Sequence, residues 1–199
     1  MKRSVYLSAH AILMPGETPD VSFVPPLVRR RFSPLQKIHF ALAKVAEKSP
    51  AANTVFSSRD GEDTLTRRLV DEFHEDGTLS PHRFSASVYN AAPGLWSVFT
   101  KNRAPYTAVA AGDDTIECAL IESLSGPMPS LFVYAEETGG GYGAAMFFED
   151  MPGARELELC EGDLSRGSVT FEALAAFVSG EEKVLKGRWI TLKDVSCAL

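Results

Sequence analysis

The sequence predicts an α/β fold in which a mixed, mainly parallel β-sheet is flanked by helices. Three observations lead to this class. Strand-like runs alternate with segments of helical periodicity, two later strand-like runs meet at the glycine turn 139–141, and 45% of the 199 residues are apolar. A chain of this length and composition can bury a core as one domain, which we place at residues 1–199.

The first elements are a strand and a helix. Val5 to Leu13 is a β-capable run that Pro15-Gly16 closes. Ser33-Pro34 then starts a helix, because serine is a favoured N-cap, proline fits the first helical position and Gln36 completes a capping box. This helix ends at Ser49-Pro50.

The middle of the chain repeats the alternation. Thr54 to Ser58 is typical of a buried strand, and the helix after it ends at Asp76-Gly77. Ser80-Pro81 opens a further helical turn, and Asn90 is the predicted N-cap of the next helix, with Pro93 in its first turn. The helix before Asp76 has one apolar face, formed by Leu65, Leu69, Val70 and Phe73.

The later elements are also strands and helices. Tyr106 to Ala111 is a predicted strand, and 113–115 opens a helix whose positive N-terminus suits its two aspartates. Ser130 to Ala135 and Gly143 to Phe148 form a hairpin across the glycine turn. The remaining elements are a half-exposed strand at Leu157 and Leu159, a helix from Phe171 to Val178 capped by Gly180, and a strand from Trp189 to Leu192.

Charge and cysteine content exclude several classes of protein. The net charge of −6, from 20 basic and 26 acidic residues, disfavours a nucleic-acid partner. Cys118, Cys160 and Cys197 are widely spaced and fit a reducing compartment rather than a zinc site. His10 interrupts the first apolar run, and no run is long enough to cross a bilayer. We therefore expect a cytoplasmic protein without a membrane span, metal or cofactor.

One junction could carry chemistry. The turn at Gly112-Asp113-Asp114 lies between a strand and a helix, where α/β enzymes hold nucleophiles near the positive helix end. Asp113 could act there only as a carboxylate, and a role as helix N-cap is the structural alternative.

Other polar groups have structural explanations. Cys118 is expected to be a buried apolar side chain, and His39 a packed histidine beside the first helix. The run 29–31, three arginines, is expected to be solvated, with an anionic partner as the alternative. None of the four histidines lies in a GxSxG context.

The segment from Phe84 to Ser97 resembles the helix before the nucleophile strand of β-ketoacyl synthases. From Asn90 the register continues without a gap through Arg103-Ala104-Pro105, so that Ala111-Gly112-Asp113 occupies the place of the family's Thr-Ala-Cys. More narrowly, the whole chain resembles the short β-ketoacyl synthase-like N-terminal family, which includes chain length factors of aryl polyene, fatty acid and polyketide biosynthesis. The other motifs of this resemblance are Ser33-Pro34-Leu35, Val55 to Gly61, Leu79-Ser80-Pro81 and Ser87 to Ala91.

The resemblance implies a single thiolase-like half without condensing activity. Asp113 stands at the position of the nucleophilic cysteine, and a carboxylate cannot form the thioester that transacylation requires. The family's catalytic histidines and lysine belong to a second thiolase-like half, which we expect this chain to lack. All four histidines of the chain precede Asp113.

The resemblance also implies a partner, an active β-ketoacyl synthase in a heterodimer whose acyl or polyene chain length this protein shapes. Arg83 and Phe84 match positions that reach into the partner's acyl tunnel. An acyl carrier protein is a further expected partner, and a homodimer could form in isolation. The strand before the nucleophile position pairs across the two-fold axis of thiolase-like dimers, which makes the interface candidates Tyr106, Thr107, Ala108, Val109, Ala110 and Ala111.

Two other functions stay open from the sequence. The first is a small enzyme that uses Asp113 or Asp114 as acid or base on carrier-bound acyl groups, in decarboxylation or hydrolysis. The second is a structural domain that associates with itself through the Tyr106 strand.

Overall fold

The computed structural model describes residues 3–151 and 155–196, which form one eight-stranded sheet with helices on both faces. The strands are β1 (Arg3–Leu13), β2 (Asn53–Ser57), β3 (Tyr106–Val109), β4 (Ser130–Glu136), β5 (Tyr142–Glu149), β6 (Arg155–Glu161), β7 (Val184–Lys186) and β8 (Ile190–Asp194). The helices are α1 (Pro26–Arg29), α2 (Pro34–Ala46), α3 (Asp63–Asp76), α4 (Pro81–Ala86), α5 (Ala91–Thr100), α6 (Thr115–Ser125) and α7 (Phe171–Ser179). Two 3₁₀ turns span Gly112–Asp114 and Thr138–Gly140.

The order of strands across the sheet is β3-β2-β4-β5-β1-β6-β8-β7. The predicted α/β class and mixed sheet flanked by helices are confirmed. The proportion of parallel strand pairs is lower than expected for a mainly parallel sheet, because among the described strands only β2–β3 and β2–β4 pair in parallel. The glycine turn reverses the chain into β5, β1 runs antiparallel to both of its neighbours, and the β6–β8 and β7–β8 pairs are antiparallel as well.

The sheet separates two hydrophobic cores. Successive side chains of a strand point to opposite faces, so Leu131 and Val133 of β4 join the core that includes α2 and α5 residues. Phe132 and Tyr134 of the same strand join the core that includes α6 and α7 residues. This packing fixes β2, β3 and β4 side by side, with their carboxyl ends at one edge.

The start of α2 confirms the predicted capping box. The Ser33 hydroxyl accepts from the Gln36 backbone N–H at 3.0 Å, and Gln36 Oε1 accepts from the Ser33 backbone N–H at 3.3 Å. Gln36 Nε2 also donates to the Ala86 carbonyl at 3.1 Å, which ties α2 to α4. The predicted helix after Asn90 begins at Ala91, although the Asn90 side chain makes no capping hydrogen bond.

The predicted apolar face of the helix that ends at Asp76 is largely at the surface. Leu69 is buried, but Val70 and Phe73 are about half exposed. The reason is that α3 packs mainly against α4 and not beneath a second layer. Two short elements, α1 and β7, were not predicted. None of the helices within residues 3–151 and 155–196 has the length and apolar content needed to cross a membrane.

Candidate functional site at the carboxyl ends of the parallel strands

Polar groups collect where the three parallel strands end. Ser58 and Arg59 follow β2, the turn with Asp113 follows β3, and Glu136 is the last residue of β4. Because parallel strands end at the same edge of a sheet, these residues are neighbours in the fold although they are far apart in sequence.

The turn after β3 is a tight elbow into α6. Gly112 has a φ of +57°, a left-handed conformation that glycine adopts without steric cost. The Thr115 hydroxyl donates to the Gly112 carbonyl at 2.7 Å and accepts from the Ala111 N–H at 2.9 Å, which closes the turn. The carboxylate of Asp113 projects from the elbow, 72% exposed, and pairs with Arg59 Nη1 at 2.8 Å. Asp113 therefore forms an ion pair at the surface and does not cap the helix.

Asp114, the N-cap residue of α6 by position, is held by the C-terminal part of the chain. Its carboxylate accepts from the Ser168 hydroxyl at 2.6 Å and lies 3.4 Å from Arg188 Nη1. The hydrogen bond from Ser168 lowers the pKa of Asp114, so this carboxylate stays ionised and is a poor proton donor at neutral pH.

Glu117, one turn into α6, joins the elbow helix to two C-terminal loops. Its side chain is fully buried. Oε1 accepts from the backbone N–H groups of Val169 and Arg188 at 3.2 and 3.1 Å, and Oε2 accepts from those of Trp189 and Ile190 at 2.8 and 3.4 Å. One carboxylate thus satisfies four backbone N–H groups, one just before α7 and three around the start of β8.

Glu136 fixes the loop that carries Arg59. It is buried, accepts from the Ser58 hydroxyl at 2.9 Å and accepts from the backbone N–H of Arg59. Burial raises the pKa of Glu136. These bonds hold the Arg59 backbone at the edge from which its guanidinium reaches Asp113.

A cavity of about 400 Å³ lies beside the elbow, with Arg59, Asp113, Tyr134 and Tyr142 among its lining residues. Burial raises the pKa of both tyrosines, so both hydroxyls are protonated at neutral pH. Among residues 3–151 and 155–196, neither a cysteine nor a histidine lines this cavity. The lining offers hydrogen bonds and an ion pair, but no thiolate or imidazole for nucleophilic catalysis.

The other polar groups singled out in the sequence lie elsewhere. Cys118 is partly exposed rather than fully buried, and burial of the thiol raises its pKa, so it is a neutral thiol. His39 is a packed histidine as predicted, 3% exposed and stacked on Phe56. Arg30 and Arg31 are exposed, as expected for a solvated run. Cys197 lies outside the described residues.

Two buried groups near this edge make the free energy of unfolding depend on pH. Burial raises the pKa of Glu62 to about 7 and lowers that of His39 to about 4. As pH rises from 4.5 to 7, the unfolded chain releases a proton that folded Glu62 retains, and the fold loses stability. As pH falls from 6.5 to 4, the unfolded chain binds a proton that folded His39 excludes, and stability is lost in that direction.

Glu62→Gln should therefore become more stable relative to the unmodified chain as pH rises. We expect the difference in unfolding free energy to shift by on the order of 3 kcal/mol in favour of the variant across the Glu62 window. Urea unfolding at a series of pH values measures it. Parallel pH profiles for the two proteins would show that Glu62 does not titrate in this window.

The strand before the elbow is an edge strand. β3 is the first strand of the sheet, and within the described residues no strand pairs with its outer side. The carbonyls of Pro105 and Val109 accept from the backbone N–H groups of Thr54 in β2 and of Ser58 just after it. Hydrogen bonding alternates along a strand, so the backbone groups of Tyr106 and Ala108 point away from β2. β3 thus presents unused donors and acceptors for another strand.

The observed strand is shorter than the predicted one. Tyr106, Thr107, Ala108 and Val109 form β3, whereas Ala110 and Ala111 are exposed residues of the elbow. The backbone leaves the ladder there because the Ala111 N–H bonds to the Thr115 hydroxyl.

Exposed apolar side chains continue from β3 onto its neighbouring helices. α5 packs against β3, and α4 packs against α5. Val98 is 77% exposed and Phe84 is 56% exposed. Large exposed apolar patches on soluble proteins mark interaction sites. We define the β3 edge surface by Phe84, Val88, Leu95, Val98, Phe99 and Tyr106, all of which are exposed.

The two predicted gate residues differ in their surroundings. Arg83 forms an ion pair with Glu72 of α3 through Nη1, which ties α4 to α3. The ring of Phe84, the next residue, is part of the β3 edge surface.

The model of the family described as β-ketoacyl synthase, N-terminal domain, matches residues 7–138, well over half of the chain. The chain belongs to this family. In this β-ketoacyl synthase N-terminal domain, the matched part begins in β1 and contains β2, β3, the elbow and all of β4. The resemblance deduced from the motifs is confirmed.

Solved structures share the fold of this β-ketoacyl synthase-like chain. A chain of the complex of the ketosynthase ApeO with its chain length factor ApeC from Xenorhabdus doucetiae matches with a TM-score of 0.75 and 18% identity, over 96% of this chain and 98% of that one. A chain of the AntDE:AntF complex, described as a type II PKS acyl-carrier protein with its ketosynthase bound to the hexaketide, matches with a TM-score of 0.60 and 11% identity, over 75% of this chain and 64% of that one. No curated protein matches the sequence.

Sequence reasoning missed three residues that organise the site of this β-ketoacyl synthase-like domain. Arg59 had a recognisable signal, since it follows a buried strand and precedes Asp60-Gly61. Glu136 could have been noticed as an acid at a strand end. Glu117 had no signal, because its position within a helix is typical of a solvent-exposed glutamate.

Proposed function

We propose that this chain is a non-catalytic partner of a β-ketoacyl-ACP synthase, similar to a chain length factor. It would shape acyl or polyene chain length in fatty acid or polyketide-type biosynthesis. The observation that carries the proposal is the unpaired outer edge of β3 together with the exposed apolar β3 edge surface.

The β3 edge supports strand pairing with a partner. An unpaired edge strand beside exposed apolar side chains favours association, because a second strand would satisfy the outward N–H and C=O groups. Tyr106, Thr107, Ala108 and Val109 are the residues we place in that contact. Ala110 and Ala111 would lie at its end, next to the elbow.

The elbow supports a non-catalytic role. Asp113 stands at the nucleophile position and is paired with Arg59 at 2.8 Å. The described residues that line the adjoining cavity include no thiol and no imidazole. A condensing enzyme needs a nucleophile that forms a thioester, and the carboxylate of Asp113 does not supply one.

The solved structures are consistent with such a partnership. The structure with ApeO and ApeC is a ketosynthase in complex with its chain length factor, and the matched chain has nearly the same length as this one. The structure with AntF includes an acyl-carrier protein in complex with its ketosynthase. We include an acyl carrier protein among the proposed partners on this basis.

Co-expression with a β-ketoacyl synthase encoded beside this gene tests the proposal. We expect the two chains to co-elute in size-exclusion chromatography as a 1:1 complex. Separate elution with every adjacent synthase would contradict it. A stable homodimer that ignores the synthase would instead favour the structural-domain hypothesis.

Phe84→Ala should alter the products of the pair. A gate residue limits chain length by filling space, so removing its ring should lengthen the products or broaden their distribution. Mass spectrometry of products released by the reconstituted pair measures this. Phe73→Ala is a matched control, since Phe73 is a similarly exposed phenylalanine on α3. Unchanged products from Phe84→Ala would remove Phe84 from the gate.

The alternative enzyme is tested with the isolated chain. Acid or base catalysis by Asp113 or Asp114 predicts turnover of carrier-bound acyl groups that Asp113→Asn or Asp114→Asn abolishes. We expect the isolated chain to show no turnover, because Asp113 is paired with Arg59 and Asp114 is bonded to Ser168. Turnover that depends on either aspartate would overturn the non-catalytic assignment.

A further inference from the structure

A second, smaller cavity lies at the end of β2, with Tyr89 and Ala108 among its lining residues. Its free volume is about 10 Å³, which is the space of one water molecule. Three titratable side chains line it: Tyr89, His39 of α2, and Glu62, which immediately precedes α3. The proposed function uses neither His39 nor Glu62.

Both side chains have a buried polar atom without a partner. His39 is 3% exposed and Glu62 is 4% exposed. Within the described part of the chain, neither His39 Nδ1 nor Glu62 Oε2 forms a hydrogen bond. A buried polar atom left in this condition costs free energy, so a native protein normally supplies a partner.

The other atoms of the two groups fix the hydrogen-bonding character of the free ones. His39 Nε2 lies 3.2 Å from the Ser57 carbonyl oxygen, which can only accept. Nε2 therefore carries the hydrogen, and Nδ1 presents a lone pair. Glu62 Oε1 accepts from the Ser33 hydroxyl at 2.9 Å, which leaves Oε2 as the second acceptor of an ionised carboxylate.

Two acceptors cannot bond to each other directly, and a donor with two hydrogens between them satisfies both. We propose that this cavity binds a single water molecule that donates one hydrogen to His39 Nδ1 and the other to Glu62 Oε2. When Glu62 is protonated, its O–H donates to the water oxygen and the water still donates to His39. The site accommodates both protonation states of Glu62 without moving either side chain.

The charged and titratable groups around Glu62 are consistent with this arrangement. Glu137, after β4, is a like charge that disfavours ionisation of Glu62. Tyr89 turns its hydroxyl outward to the Arg59 carbonyl, at 3.2 Å, so the tyrosine does not supply the missing donor. The Gln36 side chain also lies near Glu62 and lowers its pKa, but Gln36 Nε2 donates to the Ala86 carbonyl and makes no hydrogen bond with Glu62 Oε2. Neither Tyr89 nor Gln36 therefore satisfies the two free acceptors.

The bound water would connect α2 to the start of α3, beside existing bonds that join α2 to α3 and to α4. Glu62, at the start of α3, bonds to Ser33 at the cap of α2, and Gln36 of the same cap donates to the Ala86 carbonyl of α4. The water adds the link from Glu62 to His39 inside α2. The inference does not depend on the proposed partnership, because it concerns only contacts within this chain.

Nuclear magnetic resonance of the full chain tests the site. We expect the nitrogen shifts of His39 to show a protonated Nε2 and a bare Nδ1, and its ring Hε1 to show cross-relaxation with a slowly exchanging water. His10, which is exposed on β1, serves as the control within the same protein and should contact only bulk water. A proton on His39 Nδ1, or no long-lived water at its ring, would overturn the proposal.

A variant gives an independent measurement. His39→Phe keeps an aromatic ring for stacking on Phe56 but removes the Nδ1 acceptor. Oxygen-17 relaxation dispersion should then count one fewer long-lived water than in the unmodified chain. An unchanged count would contradict the site, and if the variant does not fold, the ring cross-relaxation of the unmodified chain decides alone.

Discussion

Glu117→Ala is expected to destabilise the fold by about 3–5 kcal/mol. The substitution removes the acceptor of four backbone N–H groups in a site that is closed to water. Water cannot replace the lost acceptor unless the contact between α6 and the C-terminal loops opens. Urea unfolding should show a lower midpoint, and hydrogen exchange should show lost protection at Arg188, Trp189 and Ile190.

Glu122→Ala is the matched control for this prediction. Glu122 lies on the same helix but is exposed, and Thr107 Oγ1 donates to it at 3.3 Å. Its loss should change stability by no more than about 0.5 kcal/mol. Equal midpoints for the Glu117 and Glu122 variants would mean that Glu117 does not hold the C-terminal loops.

Ala108→Pro is expected to weaken the proposed complex with a β-ketoacyl synthase by about 100-fold, through loss of strand pairing. The Ala108 N–H points away from β2, so proline removes a donor that only an added strand would use. Edge strands tolerate proline on their outward side, so the isolated chain should remain folded. Binding to immobilised synthase and circular dichroism of the free variant measure the two effects.

Ala108→Ser controls for the change of side chain at the same position. Serine keeps the backbone N–H and has nearly the same size, so it should bind the synthase like the unmodified chain. If Ala108→Pro binds as tightly as Ala108→Ser, the partner does not pair with β3. If Ala108→Pro loses secondary structure as well as binding, Val98→Glu is the variant to test instead. It places a charge on the same surface, at a side chain that is 77% exposed.

Local signals predicted most of the elements. The capping box at Ser33 and the glycine that ends α7 act within a few residues, so the sequence alone located both helix ends. The glycine turn at 139–141 likewise predicted the hairpin of β4 and β5. The direction of the sheet was not, because alternation of strands and helices does not reveal that β1 lies between β5 and β6 and runs against both.

The site was predicted in part. The ungapped register from Asn90 located the elbow and Asp113, because a strand-to-helix turn with a glycine has a local signature. Arg59 as the partner of Asp113 was not predicted, since the ion pair depends on β2 and β3 lying side by side. Helical periodicity predicted the apolar face of α3 but not its exposure, since Val70 and Phe73 lack a covering layer.

The sequence by itself determined the α/β class, the family and the glycine elbow that carries Asp113, because composition, periodicity and local motifs encode them. Only the tertiary structure decided that β3 is an edge strand and that α3 leaves its apolar stripe at the surface. It also decided that Glu117 joins the elbow helix to Val169 and Arg188. Those features arise from contacts between residues distant along the chain, and strand order and helix packing bring them together.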